Sequence, residues 1–206
     1  MNKNTQSDTI EGLEQWKLFI EGSDDAYAWI YTQYIHQLYQ YGCRFCVDSE
    51  IVKDCIQNIF INIYQNKEKL TTPNNLKVYL MSALRYALFN TLNKNHLHNT
   101  YITNTVFDFD LSVEEQFIAS EDERVQKSTI AHLLNTLSPR QREIIYYRFY
   151  EDLKYDEICR LMDLNYQSAY NLLQRSLTKL RESSGISLLL FIQINTLCIK
   201  NFIFCE

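Results

Sequence analysis

The chain has 206 residues, 46% of them apolar, a net charge of −5, and only four glycines and two prolines. That is enough to bury one large core or two small ones, and too few turn-formers for a protein built from hairpins. No Gly-rich phosphate loop occurs, and the acidic balance argues against a uniformly basic nucleic-acid coat while leaving local DNA contact open.

Apolar residues recur at three- and four-residue spacing, so the expected fold class is all-α: two small helical domains joined by an acidic linker, the C-terminal one a helix-turn-helix. Residues 1–21 are read as an N-terminal tail without a signal peptide, because no cationic start is followed by an apolar run. Residues 22–97 are expected to form the first helical domain. Ser23 is a good N-cap, with Asp24 and Asp25 in the first turn where the helix dipole favours anions. Tyr27, Ile30, Tyr34, Leu38, Tyr41 and Phe45 form the buried stripe of that helix.

A second helix is predicted over about 50–65. Val52, Ile56, Ile59, Phe60 and Ile63 lie on one side; Asp54, Gln57, Asn58 and Asn62 lie on another. The amide pair Gln57 and Asn58 beside Asp54 suits either a solvated face or a docking surface for a protein partner. The loop NKEKLTTPNN at 66–75 leads into a third helix at about 76–94 with two apolar faces. Leu76, Leu80, Ala83, Leu84 and Ala87 make an aliphatic one; Tyr79, Ser82, Tyr86, Phe89 and Asn93 make the other. The aromatics suit a second packing surface. They also suit stacking on unpaired bases, with Lys77, Arg85 and Lys94 available to the phosphates.

Residues 107–123 hold seven acidic side chains and no basic one, whereas 76–100 hold no acid. The stretch 98–125 therefore reads as a partly ordered acidic linker. The second domain is expected over 126–183. Ile130, Leu133, Leu134 and Leu137 line its first helix, and Ser138-Pro139 begins the next as cap and first helical residue, with Glu143 in its early turns.

YDEICRLM at 155–162 predicts a short helix with Ile158, Leu161 and Met162 inward, and DLN at 163–165 a tight turn. Asp163 tolerates the left-handed conformation, and Asn165 caps the second helix of the motif. In that helix, from 166 to about 182, Ala169, Leu172, Leu173, Ser176, Leu177 and Leu180 face inward. Gln167, Ser168, Tyr170, Asn171, Gln174 and Arg175 face outward, and amide, hydroxyl and guanidinium groups there match what major-groove base edges and phosphates require. Lys179 and Arg181 are further phosphate candidates or solvated charges. A plain antiparallel bundle is the structural alternative.

Six cysteines, among them Cys43 and Cys46 with half the spacing of a zinc site, lack a second matching pair and are expected as free thiols in a reducing cytoplasm, with no metal and no cofactor. His36, His96, His98 and His132 are scattered without a nucleophile or metal set, so no enzyme and no small-molecule substrate are expected. The tail, 184–206, is apolar from Ile186 to Phe204 but interrupted by Gln193, Asn195 and Lys200. It fits a packed or partner-bound segment, a disordered end or a membrane attachment.

Two stretches resemble the bacterial RNA polymerase sigma-70 family of the extracytoplasmic-function type. DCIQNIFINIYQNKEKL at 54–70 with NNLKVYLMSALRYALFNTLNK at 74–94 is similar to its second conserved region. LLNTLSPRQREIIYYRFYEDLKYDEICRLMDLNYQSAYNLLQRSLTKLRE at 133–182 is similar to its fourth. The resemblance implies a non-catalytic transcription initiation factor. Asp54, Gln57 and Asn58 would bind core polymerase. The 66–75 loop and the following helix, through Asn74, Asn75, Lys77, Tyr79, Arg85, Tyr86, Phe89 and Lys94, would recognise and open the minus-10 element. Gln167, Ser168, Tyr170, Asn171, Gln174, Arg175 and Lys179 would bind the minus-35 element. It also implies an anti-sigma factor as partner. The chain departs from the family pattern at Lys154, where a Ser or Thr cap is common, at Leu172, where a basic residue is frequent, and at Tyr86 and Asn90. The alternative function is a helix-turn-helix regulator that acts without polymerase.

Overall fold

The computed structural model describes residues 3–95, 107 and 130–184, and every regular element among them is helical. The expected acidic linker, except Phe107, the apolar tail, His96, His98 and the Lys94 side chain lie outside the described residues. The chain divides into two units, Met1–Thr103 and Asn104–Glu206.

Among the described residues, the first unit holds four α-helices: α1 (Lys3–Ile20), α2 (Asp24–Cys43), α3 (Ser49–Gln65) and α4 (Leu76–Asn95). Helix α1 corrects the reading of residues 1–21 as a tail, for Trp16 and Phe19 on its inner face are fully buried. Gly22, at φ +113°, ends it in the left-handed region that glycine adopts without strain. Ser23 N–H donates to Leu18 O at 3.0 Å and Gly22 N–H to Phe19 O at 2.9 Å, the paired bonds of a Schellman stop. Ser23 then starts α2 as predicted, its hydroxyl accepting from Ala26 N–H at 3.2 Å. One short segment thus closes one helix and opens the next.

Helix α3 starts at the Asp48 cap, whose carboxylate accepts from Glu50 N–H at 3.0 Å. The expected stripe Val52, Ile56, Ile59, Phe60 and Ile63 is buried throughout. Helices α2 and α3 approach closely where Gly42 meets Val52: a Cβ at Gly42 would stand 2.5 Å from Val52 Cγ1. Helix α4 buries Leu76, Val78, Leu80, Met81, Leu84 and Leu88; of the aliphatic stripe expected from sequence, Leu76, Leu80 and Leu84 are buried and Ala83 and Ala87 half-buried. Each such aliphatic side chain contributes roughly 1.5–3 kcal/mol when fully buried.

The second unit contains helical residues 130–135 (α5), then α6 (Pro139–Ile145), α7 (Tyr155–Met162) and α8 (Tyr166–Ser184). Ser138 caps α6 in a reciprocal box: its hydroxyl accepts from Gln141 N–H at 3.4 Å, and the Gln141 side chain accepts from Ser138 N–H at 3.0 Å. Helix α6 widens into a π turn over Tyr146–Tyr150, where Glu151 N–H reaches back five residues to Tyr146 O at 3.1 Å. Phe107 is fully buried in this unit, its ring 5.4 Å from that of Tyr146. Glu143 is buried and accepts the Tyr147 hydroxyl at 3.0 Å.

Candidate nucleic-acid interface

The helix-turn-helix is built from local signals. Asp163 adopts φ +51°, ψ +56°, the left-handed turn predicted for it, and its N–H donates to Cys159 O. Asn165 caps α8, its side-chain oxygen accepting from Ser168 N–H at 2.8 Å. From α6, the Arg140 guanidinium donates to Met162 O at 3.3 Å and satisfies a carbonyl at the end of α7. Ile158, Leu161, Met162, Ala169, Leu173, Ser176 and Leu180 are buried between the two helices and their support. Leu172 and Leu177, expected inward, are half-buried.

The start of α7 solves the missing cap differently from the usual Ser or Thr. An ammonium has no lone pair with which to accept a hydrogen bond. The carboxylate of Glu157 instead accepts from Lys154 N–H at 2.8 Å, one half of a capping box.

Along the outer face of α8, Gln167, Tyr170, Asn171, Gln174, Arg175 and Lys179 are exposed and Ser168 is half-buried at the cap. The Gln167 amide donates to Asn171 Oδ1 at 3.1 Å, so two predicted base-reading side chains are oriented by one another. Arg175 Nε donates to Asn171 O at 3.3 Å, which draws its stem along the helix. Sequence reasoning missed two neighbours, Tyr155 and Tyr166. The Tyr155 ring lies 5.2 Å from Tyr166 and 6.3 Å from Tyr170, forming an aromatic group at the entry to α8. Burial raises the Tyr155 pKa, so its hydroxyl remains a hydrogen-bond donor. The alternation of Tyr at 166 and 170, one turn apart, was the available signal.

In the first unit, Asp54, Gln57 and Asn58 are all exposed on one stripe of α3. Ile61, one turn further, is 42% exposed and extends that stripe with an apolar side chain the sequence reading left out. Gln57 also borders a groove between α2 and α3 lined by Tyr31, His36, Tyr39 and Lys53.

The residues singled out around α4 separate into two groups. Asn75 is its N-cap, accepting from Val78 N–H at 3.2 Å, and Asn74 is exposed beside it. Tyr79 is half-buried with its ring edge-on to Trp16 at 5.4 Å, and burial raises its pKa. Phe89 packs on Phe45 at 5.8 Å, with the Arg85 guanidinium 4.7 Å from its centroid. Tyr86 is 72% exposed. Lys77 is half-buried. The aromatic face is thus a packing surface at both ends and an open ring at Tyr86.

Among the described residues no group of three or more His, Cys, Asp or Glu side chains could hold a metal ion, and no helix is long and apolar enough to cross a membrane. Burial pushes the Cys43, Cys55 and Cys159 thiols up, which keeps them protonated and poorly nucleophilic.

Residues 127–180 match the family described as sigma-70, region 4. The fold is similar to that of CnrH in complex with the cytosolic domain of CnrY. The TM-score is 0.54 at 13% identity, over 84% of this chain and 96% of that one. It is also similar to the sigma factor RpoE in complex with the anti-sigma factor NepR from Bartonella quintana. There the TM-score is 0.53 at 16% identity, over 76% of this chain and 95% of that one. No curated protein sequence matches the chain. The family match covers the helix-turn-helix unit, and the fold likeness, which extends to most of the chain, is to proteins that share its helical architecture among the described residues.

Proposed function

We propose that the chain is the promoter-specificity subunit of a bacterial RNA polymerase, of the extracytoplasmic-function sigma type, with no catalytic chemistry of its own. The observation that carries this reading is the sigma-70 region 4 match over 127–180 on a helix-turn-helix whose outer face is polar and exposed. Its α8 side chains Gln167, Ser168, Tyr170, Asn171, Gln174, Arg175 and Lys179 bind a minus-35 element. Amides read base edges; the two cations meet phosphates.

The first unit supplies the other half of the function. The α3 stripe Asp54, Gln57 and Asn58 docks on core polymerase. Asn74 and Asn75, with Lys77, Tyr79, Arg85, Tyr86, Phe89 and Lys94 along α4, meet the minus-10 element. Opening a duplex requires an unpaired base to find a stacking surface, and the exposed Tyr86 ring offers one. The compact units Met1–Thr103, which takes in α1, and Asn104–Glu206 are in keeping with this division. CnrH was solved with the cytosolic domain of CnrY and RpoE with the anti-sigma factor NepR, which supports an anti-sigma factor as a partner here and a cytoplasmic site of action.

Pull-down of core polymerase tests the reading. The unaltered chain should retain core, and the triple change Asp54→Ala, Gln57→Ala, Asn58→Ala should abolish retention while leaving α8 bound to duplex DNA. Core retention unaffected by the triple change would contradict the assigned docking face. No core retention by the unaltered chain would instead favour a helix-turn-helix regulator.

A further inference from the structure

We propose that Trp16 of α1 is a positioning residue that sets the 66–75 loop and the first turn of α4 for contact with an unpaired DNA strand. The inference rests on the function proposed above, which assigns that loop to the minus-10 element.

Trp16 is fully buried and makes two contacts distant in sequence. Its indole N–H donates to the carbonyl oxygen of Thr71 at 3.2 Å, across 55 residues. Its ring stands edge-on to Tyr79 at 5.4 Å. Thr71 and Tyr79 flank Asn74 and Asn75, so one side chain holds both ends of the segment that carries the proposed strand contacts.

The local hydrogen bonds of this loop are short-range. Lys69 N–H donates to Asn66 O at 2.9 Å, Leu70 N–H to Lys67 O at 3.2 Å, and the Asn66 amide to Asn62 O at 2.9 Å. They shape the turn after α3. On the far side, Asn75 caps α4 through Val78. Between these anchors, the Thr71 carbonyl takes its bond from Trp16. A buried indole without a partner for its N–H is costly, so ring burial and loop position are coupled: the ring is satisfied with the loop in place. Helix α1 therefore contributes to DNA contact without touching DNA.

The test compares the full-length chain with Trp16→Phe, which keeps an aromatic ring and removes the N–H donor, and with Phe19→Leu as a control. Phe19 is equally buried on α1, its ring edge-on to Trp16 at 5.7 Å and close to Tyr27 and Tyr64, so its replacement trims ring packing, that of Trp16 included, while leaving the indole N–H donor to Thr71 in place. Hydrogen exchange is followed at the Lys69, Leu70, Val78 and Tyr79 amides, all hydrogen-bonded in the structure. In Trp16→Phe these amides should exchange about three- to tenfold faster, with α7 and α8 unchanged, the size expected for one lost hydrogen bond. Phe19→Leu should lower the unfolding midpoint without singling out these four amides.

A second arm uses the chain assembled with core polymerase and a random pool of single-stranded 12-mers, from which the unaltered chain enriches its preferred strand. Trp16→Phe should bind that strand about three- to tenfold more weakly while core retention and duplex binding by α8 stay unchanged. Unchanged exchange at the four amides, or a loosened loop with undiminished strand affinity, overturns the proposal. If the unaltered chain enriches no strand, the minus-10 assignment of the loop fails and the link from Trp16 to DNA fails with it. The exchange arm still decides whether Trp16 positions the loop.

Discussion

The Glu157 carboxylate accepts the main-chain N–H of Lys154 at 2.8 Å, and this single bond stands in for the side-chain cap at the start of the helix-turn-helix. The other half of the box is missing because a lysine cannot accept a hydrogen bond from the helix. Lys154→Ser should complete it and stabilise the second unit by about 1 kcal/mol. Glu157→Ala should destabilise that unit by a similar amount or more. Urea unfolding of the full chain, followed by a probe in the second unit, measures both; a Lys154→Ser variant no more stable than the original would contradict the capping account.

The turn between α7 and α8 depends on Asp163 at φ +51°. Asp163→Gly should be tolerated, since glycine occupies this region without a steric cost. Asp163→Val should cost about 1–2 kcal/mol, because a β-branched side chain crowds the following carbonyl there. Equal midpoints for the two variants would show that the turn is not held left-handed in solution.

In the first unit, Gly42→Ala should be destabilising, because its Cβ would meet Val52 Cγ1 at 2.5 Å. Overpacking of this kind costs about 1–3 kcal/mol. Combining it with Val52→Ala should recover part of the loss, so the double variant should be more stable than the sum of the two single changes implies. Strict additivity would place the two residues out of contact.

Alkaline pH should weaken the fold. Burial raises the pKa of Cys43, Cys55, Tyr27 and Tyr79 above their ordinary values. The folded state therefore favours the neutral form of each, and this contribution is fully present below the unfolded pKa and lost as pH rises past it. Thermal midpoints should be insensitive to these groups up to about pH 8 and fall as pH passes the ordinary thiol and then phenol values of about 8.5 and 10. A midpoint that rises over that range would contradict the burial of these groups.

The parts of the fold that were legible in the sequence are those with local causes. Ser23, Ser138, Asp163 and Asn165 act within four residues of themselves, and each stands where its chemistry placed it. The expected face of α3 also emerged intact, since its apolar spacing is regular and its inner residues are all buried. Helix α1 was missed because its reasons are distant. Trp16 is satisfied by Thr71, 55 residues on, and a Cβ at Gly12 would overlap the Tyr34 hydroxyl. A glycine in mid-helix reads as a weak helix signal until its neighbour is known. The π turn at Tyr146–Tyr150 likewise has no local mark in YYRFY.

The candidate interface was legible where exposure follows from helical phase, and less so where side chains interact with each other. Gln167, Asn171, Gln174 and Arg175 face outward as the period requires. On α4 the same reasoning grouped Tyr79, Tyr86 and Phe89, whereas tertiary packing engages Tyr79 with Trp16 and Phe89 with Phe45 and leaves Tyr86 open. Tyr86→Ala should then lower binding to an enriched single strand by about 1–3 kcal/mol, the scale of one base–ring stack, without lowering the thermal midpoint. An unchanged affinity would remove Tyr86 from the strand-contacting surface.

Mapping transcript starts tests most directly whether the chain directs RNA polymerase to promoters. Core polymerase of the source organism, supplied with the full-length chain and fragmented genomic DNA, should begin transcripts at a small set of positions that share an upstream and a downstream element. Those starts should disappear when Gln167, Asn171 and Arg175 are replaced together by alanine. Starts no different from those of core polymerase alone would contradict a promoter-directing role.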